Sequence, residues 1–559
     1  MIGPTLPISE YTHALKYRAA NESFYDAMVR IAAVLSDSDE HRLKLKDILL
    51  NQRFLPAGRI QASVGAAHST CAHNCFVSGT IDDSMDGIMD AVKDAAQTLR
   101  MGGGDGYDFS TLRERGANIV TLNSASTGPV SFMSIFDAMC KTISSSGHRR
   151  GAQMGVLRID HPDIEEFITA KHNTDKLTAF NMSVAVNDKF MEAVIDKESF
   201  ELKFNGEVRK LVDANNLWDQ IMRSTWEWAE PGVLFIDTIN ENNNLKYCET
   251  IAASNPCAEQ PLPPHGACLL GSFNLVKYIE LDIDKIRYFN YEQFKADIDV
   301  VVRAMDNVID IAIYPLEKQK IEALAKRRMG LGITGTANAI ESLGYSYGSV
   351  EFINVMRNIL RALRAITYKT SSLLAKEKGK FPSYTKEYLE SPFIRALPKI
   401  IKELINKHGI RNSHLLSIAP TGTISLTADN ISSGIEPVYN YFYTRDMHTP
   451  DGLKTFDVSD YGSRVFNIDG KTTDKVTIDQ HVAVLLAAQE YVDSAVSKTC
   501  NVGSNVSYND FKNIYIKAWK GGAKGCTTFR SAGSRRGILR QIDEPIACYV
   551  DETTGVKEC

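Results

Sequence analysis

Asn255, Cys257 and Glu259 put an amide, a thiol and a carboxylate at alternate positions of the stretch Ser254-Asn255-Pro256-Cys257-Ala258-Glu259-Gln260. On an extended backbone, side chains two apart point the same way, so all three would face one small molecule. Pro256 has no N–H for a sheet ladder and biases Asn255 towards an extended conformation, which suits a loop rather than a central strand. A thiol between a hydrogen-bonding amide and a potential base is a reactive grouping. On this stretch alone, an ordinary loop with a buried cysteine is the alternative.

Other stretches carry chemistry of their own. Cys71 and Cys75, with His68 or His73, have metal-ligand residue types, but one C-x3-C pair without a second points more to buried or redox thiols than to zinc. Met101-Gly-Gly-Gly-Asp-Gly-Tyr-Asp108 is dense enough in glycine to let backbone approach a ligand, or to be a plain turn; it does not fit G-x-G-x-x-G. Ser144-Ser-Ser-Gly-His-Arg-Arg-Gly151 reads equally as a phosphate loop or a solvated basic turn. Leu416-Ser-Ile-Ala-Pro420-Thr-Gly-Thr-Ile-Ser425 runs from an apolar strand into hydroxyl residues and glycine, a way of holding phosphate without fixed positive charge. Gly470-Lys471-Thr472 ends like a P-loop, but Val465 stands where glycine is required.

The elements that must position these groups read as alternating strands and helices, hence α/β with a mainly parallel sheet. Residues 8–50 are helical with a break at 36–40, and helical periodicity recurs at 214–229, 292–313, 352–378 and 480–498, with Asp510–Lys520 helical as well. Phe180–Val186 is strand-like. Bulk composition is that of a globular protein, 44% hydrophobic and 23% charged. The formal charge of −5 gives no case for nucleic acid as a partner. No apolar run is long enough to span a membrane, and the first residues lack a signal-peptide plan, so a cytoplasmic location is expected. There are ten cysteines, scattered and without C-x-x-C, which argues against a disulfide scaffold or zinc ribbon.

Together the motifs resemble the catalytic subunit of ribonucleotide reductase. They are Asn74-Cys75-Phe76-Val77, Arg149-Arg150-Gly151-Ala152, Asn255-x-Cys257-x-Glu259, Cys268-x-Leu-Gly-Ser-x-Asn-Leu275, Arg327-Arg328-x-Gly-Leu-Gly332, Ala419-Pro-Thr-Gly-Thr-Ile-Ser425 and Gly434-Ile-Glu-Pro437, in the family's order between about Phe54 and Leu539. The resemblance implies a ten-stranded α/β barrel of two five-stranded halves, with a central finger loop carrying the reactive cysteine. It divides the chain into an N-terminal helical region (1–53), the barrel with its effector loops (54–540) and a flexible redox tail (541–559).

The same resemblance implies roles. Cys257 would be the thiyl radical that takes hydrogen from the ribose, Glu259 the general base, and Asn255 the residue orienting the hydroxyls. Cys75 and Cys268 would be the reducing dithiol, re-reduced by thiol exchange through Cys548 and Cys559 or by a thioredoxin- or glutaredoxin-like partner. Thr421, Gly422, Thr423, Ile424 and Ser425 would hold the phosphates of a ribonucleoside di- or triphosphate. Asp137, Ser145, Arg149, Arg150 and Asn181 would serve a deoxynucleoside triphosphate effector at a homodimer interface, with 171–181 relaying effector identity to the base pocket. No metal ligand in the chain is implied.

Members that draw their radical from a diiron or dimanganese partner subunit carry two adjacent tyrosines near the end of the barrel. Here that place reads Cys526-Thr527-Thr528-Phe529, and the run Gly-Cys-Thr-Thr-Phe-Arg530 looks like the adenosylcobalamin-dependent type. A glycyl-radical type would need a C-terminal four-cysteine zinc site. A catalytically silent nucleotide-binding protein on the same fold would need none of these cysteines.

Overall fold

The computed structural model describes residues 3–67, 70–119, 123–144, 151–172, 176–449, 452–503 and 506–530, together with the backbone of 540–541, 549–550 and 557–558. It opens with the helices Pro7–Tyr17, Phe24–Val34 and Asp39–Leu50. The break between the last two falls where Ser38 caps the third helix through the N–H of His41, and Ser23 and Asp26 form a reciprocal capping box on the second.

The central layer is an eight-stranded sheet. Cys75–Val77, Gly104–Asp108, Gln153–Arg158, Phe180–Val186 and Gly232–Phe235 run parallel, with connecting helices such as Met85–Arg100 and Ala214–Trp228 between strands. Gly525–Arg530 adds antiparallel to Gly232–Phe235, and Thr499–Val502 adds parallel to Gly525–Arg530. At the other edge, Ala267–Cys268 lies antiparallel on Cys75–Val77. These strands are nearly all buried, as parallel strands covered on both faces must be.

A second sheet joins Phe54–Pro56, Leu270–Asn274 and Gly330–Thr334, the last two parallel. Single parallel bridges extend this direction of pairing from Leu331 to Leu416 and from Ile418 to Val496. Sequence periodicity extends the helix near residue 480 as far as 498; the structure ends it at Gln489. Asp493, fully buried, accepts the N–H groups of Leu415 and Leu416, and this pulls the following residues into the strand direction.

Between the sheets a short hairpin, Ala253–Ser254 with Pro261–Leu262, carries the loop 255–260. It lies on the Gly104–Asp108 strand at two glycines. A Cβ at Gly106 would stand 2.0 Å from Ser254 O, and one at Gly104 would stand 3.0 Å from Pro256 Cγ. Neither glycine has positive φ, so close approach rather than backbone freedom demands them. Among the described residues no helix is long and apolar enough to cross a membrane.

Gly106→Ala is therefore expected to lift the hairpin off its seat at a cost of about 1–3 kcal/mol, the usual range for overpacking. A lowered melting temperature and lost turnover would bear this out; unchanged values of both would contradict it.

Candidate active site

The loop at 255–260 is a tight turn, not the extended segment its alternating residues suggest. Ala258 N–H donates to Asn255 O at 3.0 Å, Asn255 N–H donates to Gln260 O at 3.2 Å, and Gln260 N–H donates to Asn255 Oδ1 at 2.9 Å. Ala258 takes a left-handed φ of 64° to close the turn. Strand alternation is lost as a result: Cys257 stands exposed at the tip, while Asn255 and Glu259 are buried on either side of it. The Oδ1 of Asn255 is used within the turn, and its Nδ2 has no hydrogen-bond partner among the described residues. The loop is pinned at its base by Ser417 Oγ and Ala495 N–H, each donating to Glu259 O at 2.9 Å.

Cys75 and Cys268, distant in sequence, occupy directly opposed positions on the antiparallel pair of strands. Opposed positions lie about 4.5–5.5 Å apart, inside the Cα separation a disulfide accepts. Both are buried, and Cys75 Sγ lies 3.3 Å from the Cβ position of Gly104, the glycine beneath Pro256. The dithiol strand and the Cys257 loop thus meet over one glycine. Asp105, between the two glycines, accepts from Ser78 Oγ at 3.0 Å, and burial pushes its carboxyl up to about 7.

Cys71 belongs elsewhere. It packs with Phe76, Ala267 and Ala323, accepts from His73 N–H at 3.3 Å, and burial pushes its thiol up to about 12, which leaves it a poor nucleophile. Cys500 and Cys526, on adjoining strands, are hydrogen-bonded to each other, and that bond holds the Cys500 thiol below its ordinary range.

At the C-terminal end of Gly330–Thr334 the hydroxyls of Thr334, Thr421 and Ser425 lie within 2.8–2.9 Å of one another, and Gly434 N–H donates to Thr421 Oγ1 at 2.7 Å. Thr421 has a φ of 48°, an outlier for a β-branched residue. Gly422 and Thr423 follow at the start of the Gly422–Thr427 helix; the space where a Cβ would stand on Gly422 is open, and Ile424 turns into the core. Nothing local in the sequence marks Thr334, since only the fold brings it to Thr421 and Ser425; Ser417 and Gln260 stand inside the 416–425 and 254–260 stretches but carry no expected role. The nearest signal is the glycine motif Gly330–Gly332, which ends two residues before Thr334.

Of the expected effector residues, Asp137 accepts from Ala179 N–H at 2.8 Å and pairs with Lys141 at 2.7 Å. Asn181, two residues past Ala179, donates from Nδ2 to Pro256 O at 2.8 Å. This hydrogen bond sets Asn181 against the cysteine loop. Ser145, Arg149 and Arg150, and the tail cysteines Cys548 and Cys559, lie outside the described residues.

A family profile described as "Ribonucleotide reductase, barrel domain" matches residues 73–458 and 465–529. The chain belongs to the ribonucleotide reductase family. The Vitamin B12-dependent ribonucleoside-diphosphate reductase of Mycobacterium tuberculosis is 34% identical over 532 residues, covering 89% of this reductase chain and 71% of the relative. The protein of the same description from Thermoplasma acidophilum is 33% identical over 83% of this chain and 62% of its own. The Vitamin B12-dependent ribonucleotide reductase of Streptomyces clavuligerus is 27% identical over 92% of this chain and 62% of its own.

Glu259→Gln keeps shape and removes the carboxylate. Turnover of this reductase is expected to fall about a hundredfold or more, the usual worth of a positioned general base, with nucleotide affinity unchanged. Turnover within a few-fold of the parent would take the role away from Glu259.

Proposed function

We propose that this reductase converts ribonucleotides to deoxyribonucleotides through a thiyl radical on Cys257, with Cys75 and Cys268 as the electron source and adenosylcobalamin as the radical source. The single observation that carries the reading is the placement of an exposed thiol, a buried carboxylate and an opposed dithiol around one hairpin.

Each residue has one task. Cys257, at the open tip, takes the hydrogen from C3′ and returns it at the end. Asn255, with Oδ1 occupied by Gln260 N–H, presents Nδ2 to the ribose hydroxyls. Glu259 takes the 3′-hydroxyl proton. The 2′-hydroxyl leaves as water on a proton from the dithiol, and Cys75 and Cys268 supply two electrons as their disulfide forms. Atoms and charge balance: one C–O bond and two S–H bonds are lost, and one C–H bond, one S–S bond and one water are gained. Thioredoxin- or glutaredoxin-like thiol exchange then restores the pair, directly or through Cys548 and Cys559. Such chemistry suits a cytoplasmic, thiol-reducing setting.

Adenosylcobalamin, when bound, supplies the radical that oxidises the Cys257 thiol. The site fits it in two respects. Cys257 is exposed at the turn, and the Gly525–Arg530 strand carries Thr527 and Thr528 where a tyrosine relay to a metal-loaded subunit would stand. The names of the relatives favour the same source over a diiron or dimanganese partner.

Substrate phosphates are assigned to the turn at 421–425, whose open face lies at Gly422. A deoxynucleoside triphosphate effector is assigned to the surroundings of Asp137 at an interface between two copies of the chain. The hydrogen bonds from Ala179 to Asp137 and from Asn181 to Pro256 give such an effector a short route to the cysteine loop. We also propose closure of the two sheets into ten strands. Five parallel strands from Cys75–Val77 to Gly232–Phe235, and five directions of pairing through Leu270–Asn274, Gly330–Thr334, Leu416, Val496 and Gly525–Arg530, support it.

The test is anaerobic incubation of the chain with CDP or CTP, a dithiol, a deoxynucleotide effector and adenosylcobalamin. Deoxycytidine product is expected, and Cys257→Ser should abolish it while nucleotide still binds. Product that appears only after addition of a metal-loaded partner subunit would overturn the cofactor assignment; turnover by Cys257→Ser would overturn the radical site.

A further inference from the structure

The proposed phosphate turn leads into a helix of only six residues, Gly422–Thr427. A helix that short is marginal by itself and depends on what holds its ends. Its C-terminal end is held from the other end of the chain. Ser9 Oγ donates to Leu426 O at 2.5 Å, and Gln52 Nε2 donates to Thr427 O at 3.3 Å. Two residues on, Asp429 accepts from Thr5 N–H at 2.6 Å, from Thr5 Oγ1 at 2.9 Å and from Leu6 N–H at 2.9 Å. Ile8 closes the contact by packing with Leu426, Tyr443 and Val458.

These are more than surface contacts. Ser9 and Gln52 are buried, as are the carbonyls they bond, so water cannot replace these two hydrogen bonds; the bonds to the buried Asp429 come from the chain's more exposed start. The backbone around the helix is strained as well: Gln52, Thr421, Asp429 and Asn430 have φ of 53°, 48°, 63° and 56°. Non-glycine residues keep such angles only where the surroundings over-determine them, and such sites cluster at ligand-binding positions. At about 1.5 Å rise per residue, the helix carries a shift at Thr427 to Gly422 over roughly 7–8 Å.

We propose that the N-terminal helical region is a positioning element of the substrate site. Thr5, Ser9 and Gln52 fix the C-terminal end of the Gly422–Thr427 helix and thereby set where the 421–425 turn meets the substrate phosphates. This rests on reading 421–425 as the phosphate turn. None of the three touches substrate; they act through the helix.

Deleting the first residues risks misfolding, so the test uses a double variant, Ser9→Ala with the near-isosteric Gln52→Met, in the full chain, and Gly422→Val as comparison. The double variant is expected to raise KM for CDP or CTP about fivefold or more, the effect of losing one or two net hydrogen bonds. Its kcat should stay within twofold and deoxynucleotide effector affinity should not change. Gly422→Val, which fills the open face of the turn, should raise KM on its own. An unchanged KM in the double variant beside a raised KM in Gly422→Val overturns the proposal alone. An unchanged KM in both overturns the phosphate reading and the proposal with it. Loss of kcat and effector affinity in step with KM and melting temperature overturns it too, because it would mark a merely structural role.

Discussion

The stretch Ala267–Asn274 belongs to both sheets, and the rest of the site depends on that. Its first two residues pair antiparallel with the Cys75–Val77 strand and set Cys268 opposite Cys75. Its last five pair parallel with Gly330–Thr334, which bring Thr334 to the hydroxyls of Thr421 and Ser425. A single register therefore fixes the dithiol at one end and the proposed phosphate turn at the other. A slip of one residue would turn Cys268 to the opposite face and break the pair.

Behind this register stand buried charges. Arg328, fully enclosed, pairs with Glu249 and with Glu322, the latter at 2.7 Å; Arg327 pairs with Asp306 at 2.8 Å and Asp310 at 2.6 Å. Both arginines lie within three residues of the start of the Gly330–Thr334 strand, and Glu249 lies four residues before the Ala253–Ser254 hairpin. Leaving one partner of such a pair alone in the interior costs about 3–5 kcal/mol, so these pairs fix position more than they add net stability. The motif Arg327-Arg328-x-Gly-Leu-Gly332 is thus the mount and first half of the strand that carries Thr334. The glycines follow the same logic: Gly106 leaves room for the hairpin backbone at Ser254 O, and Gly104 leaves room for the Pro256 ring.

Much of this was legible in the chain itself. Helix positions followed from apolar periodicity and capping residues, and Asn255, Cys257 and Glu259 stood out because three reactive types recur at alternate positions. The conformation they adopt was not legible. Alternation predicts an extended loop, whereas hydrogen bonds from Ala258 and Gln260 back to Asn255 fold a turn that exposes Cys257 and buries its neighbours. The helix expected to reach residue 498 stops at Gln489 because Asp493 is claimed by backbone N–H groups of another strand, a contact no local pattern records. The opposition of Cys75 to Cys268 and the grip of Ser9 on Leu426 are likewise products of topology, since nothing nearby in sequence encodes either.

The central claim is that Cys75 and Cys268 provide the two electrons of reduction. A single-turnover experiment tests it most directly. The fully reduced chain, loaded with adenosylcobalamin, effector and ribonucleotide but no external thiol, is quenched and its thiols and disulfides mapped by mass spectrometry. The account predicts a new disulfide between Cys75 and Cys268 in proportion to deoxynucleotide formed, and no product from Cys268→Ser. Product formed while both thiols stay reduced, or matched by a disulfide between Cys500 and Cys526 instead, would contradict it.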